Sequence, residues 1–198
     1  MSPFTRSSAA LCLLFFAAGC DRLPEAVIVP EFDFTFSFED GLQGWQAQSA
    51  ELGNGTVSVE ASTDRASAGT RSLRITMDNQ GGAAKVWVTR ELAVTRHQSY
   101  VAELSLALGS ADPPAAAPWK VIAGLRPSPP SLAAELPYQD ETPAPAGAGG
   151  FAWAGRSYTV PVTADAEGRI FLTLGIWGTS PSARTYWMDN VRVVLTRS

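Results

Sequence analysis

Phe32-Asp33-Phe34-Thr35-Phe36-Ser37-Phe38-Glu39 decides the fold class of this chain. Four phenylalanines take every second position, and Asp33, Thr35, Ser37 and Glu39 take the positions between them. Successive side chains of an extended strand point to opposite faces, so this period of two with one aromatic side predicts a half-buried β-strand. Similar runs recur outward from it, at residues 56–61, 72–77, 85–91 and 100–108, separated by clusters of Gly, Asn, Asp and Ser. Residues 119–125, 157–162, 169–177 and 186–195 bring the number to nine. With no amphipathic helical stretch between them, the pattern predicts an all-β sandwich of two antiparallel sheets.

Composition agrees. The 198 residues suffice for one core and an appendage. They are 45% hydrophobic and 17% charged, with 17 Gly and 14 Pro, which excludes a disordered acidic tail and a charge-rich helical bundle. A formal charge of −4 with no basic block argues against nucleic acid as a partner. Both cysteines, Cys12 and Cys20, precede the predicted strands, so the main body has no disulfide framework, no Cys-based zinc site and no Cys nucleophile. Nine of the fourteen prolines lie between Pro113 and Pro145, a long Pro- and Ala-rich insertion whose one strand signal is 119–125. Its second arm, 126–150, is predicted to be a loop.

The amino terminus reads as an address. Arg6 is followed by an uncharged stretch, 9–19, rich in Leu, Phe and Ala. As a helix those residues would reach about 16 Å, half of a hydrocarbon core, too short to span it. Phe16-Ala17-Ala18-Gly19-Cys20 resembles the bacterial lipobox, with Ala17 where that family usually has Leu. The resemblance implies a lipoprotein: residues 1–19 a signal peptide, Cys20 the acylated (palmitate-bearing) first residue, 20–31 a spacer and 32–198 the domain. Acyl chains contribute about 0.8 kcal/mol per buried methylene and would hold the domain at a membrane of the cell envelope. Asp21 resembles the inner-membrane retention signal of enteric bacteria. An ordinary secretory peptide cut nearby is the plainer alternative.

Three phrases carry a second resemblance. Phe36-Ser37-Phe38-Glu39-Asp40-Gly41 with Gly44-Trp45 comes first, then Ala66-Ser67-Ala68-Gly69-Thr70-Arg71-Ser72-Leu73, and Tyr186-Trp187-Met188-Asp189-Asn190-Val191 closes the chain. In that order they resemble the galactose-binding-like jelly-roll carbohydrate-binding modules, over nearly the whole domain. That family often holds a structural calcium where the first and last strands meet, which implies Glu39 and Asp189 as ligands, with Asp40 as a substitute. Without a metal, the same carboxylates would bond backbone amides or Arg71 and Arg74. Trp45 is expected to pack on one end of the core.

Strand alternation sends Lys85, Trp87, Phe171 and Trp177 to outward faces, and Glu103 likewise. Together they are the predicted ligand platform, aromatic planes with a few polar groups suited to a glycan. Alternatively the Pro-rich insertion, with Trp119, Tyr138 and Trp153, covers Trp87 and Trp177 as a second small core. The single histidine, His97, lies in a polar turn, and no motif nominates a catalytic pair. The leading expectation is a non-catalytic, membrane-anchored carbohydrate-binding lipoprotein. An envelope lipoprotein with a structural or protein-binding role is second, and a carboxylate-based glycoside hydrolase third.

Overall fold

The computed structural model describes residues 30–42, 44–110, 119–142, 150–179, 181 and 183–198. The predicted signal segment and the spacer as far as residue 29, with Cys20 and Asp21, lie outside the described residues. Among the described residues there are eleven strands: β1 (Phe32–Phe36), β2 (Trp45–Ala50), β3 (Val57–Ser62), β4 (Ser72–Asp78), β5 (Lys85–Ala93), β6 (Ser99–Ser110), β7 (Trp119–Arg126), β8 (Tyr138–Thr142), β9 (Ala152–Thr163), β10 (Arg169–Gly178) and β11 (Ala183–Arg197). A single 3-10 turn, Ala133–Glu135, lies between β7 and β8. No helix among them is long and apolar enough to cross a membrane.

Two sheets face each other. One runs β3-β4-β11-β6-β9, with β1 also on β11; the other runs β2-β5-β10-β7-β8, and every pair is antiparallel. β11 is the spine of the first sheet: residues 183–188 pair with β4, residues 191–195 pair with β1, and β6 pairs along both stretches. The register of β11 with β6 shifts between Asp189 and Arg192, and Asn190 there has φ 51°. Such a bulge re-aims side chains at a sheet's working surface.

The alternation behind the core holds strand by strand. Leu73, Ile75 and Met77, Val86 and Val88, Leu104, Leu106 and Leu108, Ile170, Leu172, Leu174 and Ile176, and Val191, Val193 and Leu195 are all buried in one cluster between the sheets. Phe32, Phe34 and Phe36 pack against it from β1. Phe38 is also buried, but past the strand's end, at φ 60°, so the predicted strand stops one ring early. Trp45 packs edge-on to Phe36 at 5.3 Å and lies 5.6 Å from Phe38, the core-end role expected of it.

Three differences from the predicted pattern concern edges. β2 reads Trp-Gln-Ala-Gln-Ser-Ala and β8 reads Tyr-Gln-Asp-Glu-Thr. Both are edge strands of the five-stranded sheet, and neither sequence alternates apolar with polar residues, so neither carries the periodic signal. β9 starts at Ala152, five residues before the predicted boundary. The 126–150 arm therefore holds a strand and a turn.

Candidate functional site

Glu39 and Asp189 grip the same loop through its amide hydrogens, not as cation ligands. Asp189 is fully buried; its Oδ2 accepts the amide hydrogens of Ser67 at 2.7 Å and Ala68 at 3.0 Å, and its Oδ1 that of Asn190 at 2.7 Å. Glu39 Oε1 accepts from the amides of Thr70 at 2.9 Å and Arg71 at 2.8 Å, and Oε2 from the Thr70 hydroxyl at 2.6 Å. These oxygens face N–H and O–H dipoles, whose positive ends occupy the positions a calcium ion would need. Asp40 is exposed and outside this donor set, and no group of three or more His, Cys, Asp or Glu among the described residues could hold a metal. The residues do not fit calcium. The two carboxylates instead clamp residues 67–71. Gly69 closes the clamp: its φ is +67°, and a Cβ there would lie 2.5 Å from Glu39 Oε1.

The predicted platform is divided. Lys85, Trp87, Phe171 and Trp177 share the outer face of the five-stranded sheet, but Glu103 lies on β6, in the other sheet. Alternation set each residue's face correctly; assignment to a sheet depends on long-range pairing, which alternation does not encode. The shared face is also covered. Trp87, Ile122 and Leu136 are buried together, with Ala50, Ala133, Tyr138 and Trp177 packed around them. Lys85 is buried, paired with Glu51 and bonded to the Ala83 carbonyl at 2.9 Å, and its Nζ lies 4.5 Å from the Trp177 ring centre. Phe171 is only 9% exposed. Trp87 and Trp177 are thus covered, as the alternative reading has it, with Tyr138 in the cover, but its Trp119 and Trp153 lie elsewhere. Trp119 is in the main core against Tyr186 at 5.0 Å, and Trp153 is on the opposite side of the sandwich.

The cover is built to stay. Glu135 Oε2 accepts the amides of Ser131 and Leu132, Arg126 donates to the Glu135 carbonyl, Tyr138 Oη donates to Ala133 O at 2.9 Å, and the Ala123 amide bonds Pro137 O at 3.0 Å. Beneath it Thr89 Oγ1, Thr173 Oγ1 and Trp87 Nε1 are buried without a hydrogen-bond partner among the protein groups. At its margin Gln46, Thr89, Glu91, Pro129 and Phe171 line a cavity of about 80 Å³, well below the roughly 300–1,000 Å³ of ligand pockets.

The outer face of the six-stranded sheet is different. Across β11, β6 and β9 its rows are Val194, Glu103 and Thr159; Arg192, Ser105 and Ser157; then Trp187, Gly109 and Trp153. Glu103, Ser105, Ser157, Thr159 and Arg192 line a trough of about 400 Å³. Arg192 is fixed in a bidentate pair with Asp33 on β1, at 2.9 and 2.7 Å, and this partner holds the Asp33 carboxyl below its ordinary range. Ala107 and Gly155 continue the floor toward an aromatic rim, where Phe151 stands edge-on to both Trp153 and Trp187, 5.5 Å from each. Gly109 makes room for that rim: a Cβ there would meet Phe151 at 2.7 Å. Glu103 is the one predicted ligand residue on this open face. The others were missed because Ser157 and Thr159 carry no apolar signal, and Trp187 was read only as part of a motif.

No protein-family model matches the chain, and no curated protein matches it in sequence. Solved structures resemble it. The CBM22-1–CBM22-2 tandem domain of Paenibacillus barcinonensis Xyn10C aligns with a TM-score of 0.50 and 18% identity over 88% of this chain, which spans 47% of that one. The CBM22-1 xylan-binding domain of the same protein gives 0.49 and 17%, covering 83% of this chain and 94% of that chain. An arabinose-bound MgGH51 α-L-arabinofuranosidase gives 0.50 and 12%, covering 78% of this chain and 23% of that chain. At these identities the likeness establishes the fold: this chain is a β-sandwich of the architecture that carbohydrate-binding modules use.

Three measurements check the clamp and the cover. Asp189→Ala strands two loop amides and is expected to cost about 3 kcal/mol in denaturant unfolding, with Asp189→Asn milder because one oxygen still accepts. The Thr70 hydroxyl, then the Arg71 and Thr70 amides, hold the Glu39 carboxyl below the usual 4.5. The folded state thus binds this proton more weakly than the unfolded chain, and the stabilisation is complete above pH 4.5 and fades as pH falls further. Thermal melts of Glu39→Gln should therefore lie below wild type at neutral pH and converge with it in acid. Thr173→Val removes an unpartnered hydroxyl at constant shape, so its melting temperature should equal or exceed wild type; a drop would show that the hydroxyl is satisfied.

Proposed function

We propose that this chain is a non-catalytic, lipid-anchored carbohydrate-binding protein of a bacterial envelope, with its glycan lying along the outer face of the six-stranded sheet. The observation that carries this reading is the trough itself. Hydroxyls of Ser105, Ser157 and Thr159 with the charged tips of Glu103 and Arg192 line about 400 Å³ beside the Trp153–Phe151–Trp187 rim. Sugars need this combination, an aromatic plane for their C–H faces and fixed polar groups for their hydroxyls. The rim and the Ser105 row are four residues apart along β6, about 13 Å at 3.3 Å per residue, so the face suits an oligosaccharide rather than one sugar. A monosaccharide alone, at about 0.3 kcal/mol per heavy atom, would bind only in the millimolar range.

Among the described residues, Glu103 is the only carboxylate lining the trough, whereas glycosidases of the usual kind flank the scissile bond with two. That supports binding without hydrolysis. Anchoring rests on Gly19-Cys20 and the apolar stretch before it; Asp21 favours the inner membrane. Acylated Cys20 would tether the domain through a spacer of about 11 residues, up to about 36–40 Å when extended. An array of anchored copies would then raise avidity for a polymer.

A glycan microarray with the purified chain tests the binding claim. Ser157→Arg, which fills the trough from an exposed strand position, and Trp153→Ala should each weaken binding at least tenfold. Retention of no glycan, or equal binding by both variants, contradicts the proposal. Labelled palmitate should enter the wild-type chain in cells and not Cys20→Ser.

A further inference from the structure

Resting on that reading of the face, we propose that the trough takes a carboxylate-bearing glycan, a polyuronate, and that Arg65 recognises its acid group. Arg65 belongs to the loop between β3 and β4. Its guanidinium carbon lies 4.0 Å from the Phe151 ring centre and 5.4 Å from that of Trp187. The side chain is exposed, yet Arg65 has no carboxylate partner among the described residues. The acids nearest in sequence are engaged elsewhere: Glu60 and Asp64 both pair with Arg74.

The loop is fixed on either side of this cation. The Ser72 hydroxyl donates to the Arg65 carbonyl at 2.6 Å, and Asp189 holds the next turn through the Ser67 and Ala68 amides. A guanidinium stacked on an aromatic ring keeps its N–H edge free for a coplanar acceptor, and a carboxylate matches that edge with two parallel hydrogen bonds. A neutral sugar offers hydroxyls to this edge but leaves the positive charge unmatched. A uronic acid supplies acceptor and charge together, while its hydroxyls and those of its neighbours extend along β6 to Ser105 and Ser157.

The test measures binding of the full chain in detergent to polygalacturonate, to its methyl ester and to neutral xylan, at about 0.15 M salt, where loose surface attraction is screened. Wild type should prefer polygalacturonate to the ester and to xylan by at least tenfold. Arg65→Gln should remove that preference, its binding of polygalacturonate falling to the level of the ester, and Arg65→Lys should keep only part of it. The ester comparison leaves the protein unaltered, so it holds even if a variant folds poorly. Equal binding of acid and ester, or an acid preference that survives Arg65→Gln, overturns the role of Arg65 and leaves the glycan-binding proposal standing. Failure to bind any of the three overturns both.

Discussion

Where β11 shifts register against β6, a carboxylate without solvent contact, Asp189, takes the amide hydrogens of Ser67, Ala68 and Asn190. Burying a charge is tolerable only when it is hydrogen-bonded, so this site ties loop and strand into one geometry. Glu39, from the turn after β1, grips the next residues of the same loop. First strand, last strand and the β3–β4 connection are thereby locked together. That lock also fixes the backbone from which Arg65 reaches over the Phe151 and Trp187 rings. The bulge that admits the clamp separates Trp187 from Arg192, and so separates the aromatic rim from the polar trough.

The two outer faces show how one architecture can keep a surface or close it. On the five-stranded sheet, the chain between β7 and β8 folds back and packs Leu136 and Ala133 onto Trp87, with Tyr138 5.2 Å from Trp177. The aromatic side chains there gain burial, but hydroxyls and an indole N–H lose water without finding protein partners. On the six-stranded sheet, five outward residues of β6 and β9 are small or hydroxylated, Ala107, Gly155, Ser105, Ser157 and Thr159, and the face between Glu103 and the Trp153 rim stays open. The side that strand alternation favoured, with Trp87 and Trp177 outward, is the closed one.

Much of the fold was legible because burial imposes a period of two. Ile170, Leu172, Leu174 and Ile176 had to share a face, and they are all buried. The edge strands β2 and β8 were not legible, since neither carries a regular apolar alternation. The candidate site was legible only in pieces. Glu103 was placed outward, and the Asp189-Asn190 motif was recognised, but pairing across 44 (Gly109 with Trp153) to 91 residues (Glu103 with Val194) decides which outward residues become neighbours. Nothing local in the sequence brings Glu103, Thr159 and Arg192 together; the antiparallel registers of β6 with β9 and β11 do. Glu39 and Asp189 were found by family likeness, and only the amide hydrogens pointing at them decide against a metal.

Hydroxyl-radical footprinting of the chain with xylohexaose and with hexagalacturonate, each in turn, tests the central claim most directly. The rings at issue are readily oxidised and lie on opposite sides of the sandwich. A bound oligosaccharide should protect Trp153 and Phe151 and leave the oxidation of Trp177 and Phe171 unchanged. Protection of Trp177 and Phe171 with Trp153 unaffected would place the glycan on the five-stranded sheet and contradict the account.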